Sequence, residues 1–425
     1  MDFLFSIPYL VRILLSLFAI LFFQKVTRRL DAAMVLGMAM LAAWTGQSAR
    51  SALAIAGDRL FSFDMLFLAF VIAGVIWLSS LMAETGIMKD LVASLRTRLS
   101  RRALLAALPA VVGLLPMPAG ALFSCPLLDD ADADGRLGNY QKTTINYWFR
   151  HGWEFWWPLY PGVLLALDMS GLAIWKFVLL MCPLFLAAAF SGYVFLLRGT
   201  PGGGPAPRGE GDRPFLPLVL PILTVVGVYA ILFLVAPSTS RFNKYLPMAI
   251  GIVCGLAVMQ LLRPASMAAW RKTLFSRRWL SLVLVIILAR LYGAFIEARL
   301  GDGVPLMEHV RGELDTFGIP AVLLIVLIPF VSGLTTGITV GYIGASFPVV
   351  LSLAGPGPEG LYAAIVLGYA SGFAGMMLSP IHVCLIVTND YFKTSMTGSI
   401  RTLLKPSLLL FAFAVLYSFF WRSLA

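Results

Sequence analysis

The sequence predicts an all-α polytopic membrane protein of about ten transmembrane helices plus two re-entrant hairpins, built as an inverted-topology repeat. Three observations carry this. Apolar residues come in blocks of bilayer length, basic residues gather in short loops of one sidedness, and two turn-broken apolar segments resemble each other across the halves.

The apolar blocks come first. Hydrophobic residues make up 60% of the 425 and charged residues 12%, with a mean hydropathy of +0.88. A helix needs about 20 residues to cross a bilayer. Met65–Met82, Trp175–Leu197, Phe215–Val235 and Leu280–Ile296 are blocks of this kind. A water-soluble fold is excluded. Phe3–Phe23 is expected to be the first span, because basic residues follow it and no small-residue cleavage site does. Cys125, Cys182, Cys254 and Cys384 have apolar neighbours and no paired spacing, so they read as small buried hydrophobes rather than a disulfide frame or a metal site.

The net charge of +11 would suit nucleic acid only if it were clustered. The bases instead flank apolar spans, which is the orientation signal of a membrane protein. Gln24–Asp31, Lys89–Arg102, Asp129–Lys142, Arg198–Arg213, Arg263–Arg278 and Lys393–Lys405 together hold 21 Lys and Arg, against 7 in the intervening loops. The richer set is placed in the cytoplasm, at the plasma (inner) membrane of a prokaryote, with both termini outside.

That orientation requires two segments to enter and leave on one side. Residues 103–128 break at Pro116-Met117-Pro118-Ala119-Gly120, and residues 319–353 break at Gly333-Leu334-Thr335-Thr336-Gly337. Proline and glycine end helices, and irregular backbone at membrane depth is tolerated where protein or a water-filled cavity covers it. Both are read as re-entrant hairpins, with kinked ordinary spans as the alternative. An offset of 220 residues aligns Pro109 and Gly113 with Pro329 and Gly333; beyond the tips an offset of 222 aligns Pro126, Tyr147 and Pro158 with Pro348, Tyr369 and Pro380. The organisation is therefore a first repeat at 1–197, a Gly/Pro-rich cytoplasmic linker at 198–214 and a second repeat at 215–425. Inverted repeats of this kind place a binding site near the membrane midplane.

Each hairpin precedes an interrupted span, Asn146–Pro161 in the first half and Tyr369–His382 in the second. Broken helices expose backbone donors and acceptors, and their N-termini favour anions. The candidate substrate-binding set is Pro116, Met117, Pro118, Gly120, Ser124, Asn146, Arg150, Ser332, Thr335, Thr336, Gly337, Ser371 and Ser379. Candidates for ion or proton coupling are His151, Glu154, His382 and Arg290. A membrane-embedded arginine costs roughly 2.5–3.5 kcal/mol on insertion scales and needs a partner or a cavity. For Arg150 the alternatives are a substrate anion or an ion pair with Glu154 four residues on; for Arg290 they are a substrate or an acid elsewhere in the fold. The bland alternative for the hairpin hydroxyls is bonding to their own backbone. His-Glu-x-x-His, Cys-x-x-Cys and phosphate-loop patterns are absent, and the histidines lie far apart in sequence, so no enzyme is expected.

Gly113–Ser124, the aromatic run Asn146–Pro161 and Ser371–His382 resemble domain-of-unknown-function family 401, and the resemblance spans nearly the whole chain. It implies membership of the ion transporter superfamily, beside arsenite, citrate, gluconate and dicarboxylate permeases. It further implies a scaffold and a transport unit moving like an elevator in a homodimer. The hairpin tips lack the Ser-Asn-Thr signature of the dicarboxylate relatives. The expected function is ion-coupled secondary transport of a small, carboxylate-like organic anion, with Na+ or H+ as coupling ion and no other cofactor. The alternatives are a sodium/proton antiporter and a non-transporting membrane enzyme or assembly factor.

Overall fold

The computed structural model describes residues 7–60, 62–96, 98–114, 120–132, 134–200 and 215–424. The linker at 201–214 and the first hairpin tip with Pro116, Met117 and Pro118 lie outside these. Regular structure among the described residues is helical, apart from an isolated bridge between Arg299 and Pro305.

The first half runs α1 (Tyr9–Thr27), α2 (Leu30–Trp44), α3 (Ala49–Leu60), α4 (Phe63–Glu84), α5 (Ile87–Arg96), α6 (Arg101–Gly113), α7 (Gly120–Ala131) and α8 (Asn139–Arg150). A 3-10 turn, Gly152–Phe155, then leads to α9 (Pro161–Ser170) and α10 (Ile174–Gly192). The second half runs α11 (Phe215–Val235), α12 (Pro237–Phe242), α13 (Leu246–Leu262), α14 (Met267–Leu274), α15 (Arg277–Glu297), α16 (Leu306–Phe317), α17 (Ala321–Thr336), α18 (Thr339–Ser352), α19 (Gly357–Met377), α20 (Val383–Phe392) and α21 (Met396–Arg422).

Local chemistry sets several boundaries. Ser62, Ser100 and Ser395 accept backbone N–H groups at the starts of α4, α6 and α21. Pro161 opens α9, where its missing N–H costs nothing, and Gly171 closes it at φ 67°. Among the described residues seven helices have the length and apolarity of a full crossing, or eight if the α16–α17 pair, bent by 114°, counts as one. About ten were expected. Three apolar helices fall short of a full crossing where a span was expected: α2 with 15 residues, α13 with 17, and α9 with ten, about 15 Å of helix against a hydrocarbon core of about 30 Å.

Burial sorts the helices. Leu216, Leu223, Ile231, Leu234 and Val235 on α11 are exposed, an apolar face suited to lipid. By contrast α19 is buried on all sides, from Ala363 to Met377. Close approach depends on small residues, as membrane packing requires. A Cβ on Gly344 of α18 would meet that of Ala289 on α15 at 2.8 Å.

Several elements of the two halves correspond in position. Shifting α9 by 222 residues gives the bounds of α20, and the same shift carries the start of α10 onto that of α21. A shift of 220 carries the start of α6 onto that of α17. Packing repeats as well: α6 lies on α8 as α17 lies on α19, α7 on α20 as α18 on α9, and α8 on α21 as α19 on α10. One contact is not repeated. Helix α15 packs along α18, whereas α4, its counterpart by order, has no comparable packing on α7 among the described residues.

Candidate functional site

The ends of α8 and α19, the starts of α7, α18 and α20, and the turns between them meet around one polar cluster. Gly113 makes this possible: a Cβ there would clash with the backbone carbonyl of Arg150. Gly333 does the same in the second half, lying against the carbonyl of Gly372. These four positions correspond, Gly113 to Gly333 and Arg150 to Gly372.

Two tyrosines cross between the halves. Tyr147 donates to the backbone carbonyl of Met376 at 3.3 Å, and Tyr369 donates to the carbonyl of Glu154. Tyr147 corresponds to Tyr369, and Glu154 to Met376, at the same offset of 222. The exchange is therefore reciprocal, as across a two-fold axis. Side-chain volume is exchanged in the same way. A Cβ on Gly120 would fall on the Arg150 guanidinium, and a Cβ on Gly372 would fall on the ring of Tyr342, the counterpart of Gly120.

Arg150 is 4% exposed, and its Nη1 has no hydrogen-bond partner. Its guanidinium lies over Gly120, the first residue of α7, and no carboxylate among the described residues is within ion-pair distance of it. The local pairing with Glu154 does not form, because the chain turns into the 3-10 segment after His151. Glu154 is instead buried against the start of α18, where it accepts from the Thr339 hydroxyl. Its Oε1 is 3.8 Å from His151 Nε2. The ring centroids of His151 and His382 are 4.8 Å apart, and Tyr147 packs edge-on against both. Cys384 lies against His151 and Arg150. Asn146 is fully buried, bonding Ala121, Cys125 and Thr388 through Nδ2 while its Oδ1 stays unpartnered.

The remaining candidates divide. Ser124, Thr335, Thr336 and Ser371 bond carbonyls of their own helices, and Ser379 bonds the Leu334 carbonyl beside the left-handed Gly337. Ser332 is buried with an unpartnered hydroxyl. Arg290 lies outside the cluster. Its Nε donates to Asp168 at 2.8 Å, so it neutralises an acid, one of the two alternatives open from sequence. Lys244 (2.9 Å) and the Tyr245 hydroxyl complete the surroundings of Asp168.

Sequence reasoning passed over Asp168 and Cys384. Asp168 is the sole acid in the apolar stretch 159–175, which is the signal that marks it. Cys384 was read as a hydrophobe, and nothing local distinguishes it from Cys182 or Cys254. His309 pairs with Asp302 at 2.8 Å beside α16, far from the cluster.

The profile of the family described as "Protein of unknown function (DUF401)" matches residues 11–419. No curated protein matches the chain.

Proposed function

From a chain that belongs to the DUF401 family, a helical protein with several membrane-crossing helices, we propose an ion-coupled secondary transporter of a small organic anion, built as an inverted repeat. One observation carries the anion. The buried Arg150 guanidinium faces the N-terminal end of α7 with no carboxylate at ion-pair distance among the described residues. A helix N-terminus presents free N–H donors and partial positive charge, so two positive elements converge on one spot. A carboxylate there satisfies both.

The repeat is supported by the matched helix bounds and the reciprocal tyrosine bonds. On this reading α6–α7 and α17–α18 are re-entrant hairpins, the interrupted spans count once each, and about ten crossings result. The one-sided contact of α15 with α18 supports alternating access, because a unit that rocks between two positions packs against its scaffold on one side at a time. With both termini outside a prokaryotic inner membrane, the packed side is the outer one, and the conformation faces the cytoplasm. Membership of the ion transporter superfamily, elevator-like motion and a homodimer complete the proposal. The coupling ion is H+ or Na+, handled at Glu154. The buried Glu154–Thr339 contact also favours a second reading, a sodium/proton antiporter.

The test is thermal unfolding of the purified protein against carboxylates, oxyanions, sodium and pH, since a ligand of the folded state raises the midpoint with its concentration over its Kd. A carboxylate-dependent rise that disappears in Arg150→Gln is expected. A response to sodium and pH alone, abolished by Glu154→Gln, overturns the organic anion and leaves the antiporter.

A further inference from the structure

We propose that His151, His382 and Cys384 form a binding site for a soft monovalent metal ion, Cu+, that bridges the two interrupted spans. The ligand atoms of these three residues all lie within 4.8 Å of one another, although the sequence separates His151 from the other two by more than 200 residues. Two imidazoles and a thiolate are donors that suit copper and zinc over magnesium or calcium.

The hydrogen bonding around the rings fits ligation. His151 Nδ1 lies 2.6 Å from the Tyr147 carbonyl, which can only accept. That fixes the proton on Nδ1 and leaves the Nε2 lone pair free, the outer-sphere arrangement usual for metal-bound histidine. His382 is 5% exposed, and its Nδ1 has no partner. A buried polar atom without a partner is costly, and a metal bond relieves that cost. Metal–nitrogen and metal–sulfur bonds of about 2.0–2.3 Å place three ligand atoms roughly 3.5–3.8 Å apart in a trigonal site. Side-chain rotations that close the cluster by about 1 Å therefore suffice.

Charge selects the ion. Arg150 already stands beside Cys384 in a buried setting, where added net charge is expensive. On binding, the Cys384 S–H bond breaks, an S–Cu bond forms and the proton leaves to solvent, with no electron transferred. Cu+ in exchange for H+ leaves the net charge unchanged; Zn2+ adds one positive charge next to a guanidinium. The proposal does not rest on the transported solute, and its test reads binding rather than flux.

Full-length protein in detergent, anaerobic and reduced, is titrated against the coloured Cu+ complex of bathocuproine disulfonate. One Cu+ per chain is expected, both in the wild type and in a Cys125→Ser, Cys182→Ser, Cys254→Ser background. In Cys384→Ser and in His382→Gln the affinity is expected to fall more than about tenfold, each variant first shown by its melting curve to be folded. Failure of the wild type to take Cu+ overturns the site, as does full uptake by a folded Cys384→Ser or His382→Gln. Zn2+ that displaces Cu+ at equal concentration overturns the choice of a monovalent ion.

Discussion

If the cluster travels with α9, then Asp168 near the end of that helix is a latch, and Asp168→Asn opens it. The carboxylate side chain is 1% exposed and ties α9 to Arg290 on α15 and to Lys244 and Tyr245 before α13. Hydrogen bonds to charged groups contribute about 1.5–3 kcal/mol each. The Lys244 side chain is 41% exposed, so its share is small. Asparagine still accepts from Tyr245, and the loss is essentially the Arg290 interaction, about 2–3 kcal/mol. At 1.4 kcal/mol per decade, the equilibrium between the two faces shifts by roughly 30–150-fold. Cys384 reports the shift. In a background lacking the other three cysteines, a membrane-impermeant maleimide applied outside is expected to label Cys384 faster in Asp168→Asn than in the parent, by a factor approaching that shift. If the variant melts earlier but labels from outside at the parental rate, Asp168 merely stabilises the fold and the latch is refuted.

Asp132 has a buried carboxylate held by Arg101 at 2.5 Å, Lys142 at 3.1 Å and the Leu137 N–H at 3.1 Å. Burial opposes its ionisation, but the Leu137 N–H, Lys142 and Arg101 outweigh it and hold the carboxyl below its ordinary 3.8. A depressed folded value means that the stabilisation is present above about pH 4 and is lost as the pH falls through the folded value. Asp132→Asn is expected to cost about 3 kcal/mol at pH 7, with the gap in melting midpoint closing as the pH falls through the depressed folded value. In Gly120→Ala the new Cβ forces the Arg150 guanidinium aside by about 1 Å. Carboxylate affinity is expected to fall on the order of 100-fold while the unliganded midpoint stays near that of the parent, and an unchanged affinity removes Arg150 from the anion site. Tyr147→Phe and Tyr369→Phe each strip one donor from a buried carbonyl, so each is expected to lower the midpoint by a comparable amount, about 1–2 kcal/mol. A loss confined to one of them contradicts the two-fold relation.

The parts of this fold legible in the sequence are those fixed by local chemistry. Phe215–Val235 was read with the bounds it has. That the span Asn146–Pro161 is interrupted was legible from Pro158 and Pro161, because proline disfavours helix both at its own position and before it. What was not legible depends on partners across the fold. Arg290 finds Asp168 122 residues away, and Glu154 finds Thr339 185 residues away. No periodicity encodes either pairing. An i,i+4 rule offered Glu154 to Arg150 instead, and it failed because the helix that the rule presupposes ends between them.

On the proposed repeat, matching positions and unmatched ones have different physical origins. Positions that break helices or admit a close backbone approach keep their type in both halves, as Gly113 and Gly333 or Pro158 and Pro380 do, since the fold needs them twice. Positions that line the cluster need not match, because only the filled volume is constrained. Gly120 with Arg150 fills the space in one half that Tyr342 with Gly372 fills in the other. The exchange places a charge on one side of the pseudo-two-fold axis and an aromatic ring on the other. On the proposed repeat, Arg150 therefore stands out by its failure to match Gly372, which puts the proposed anion site where the two halves differ.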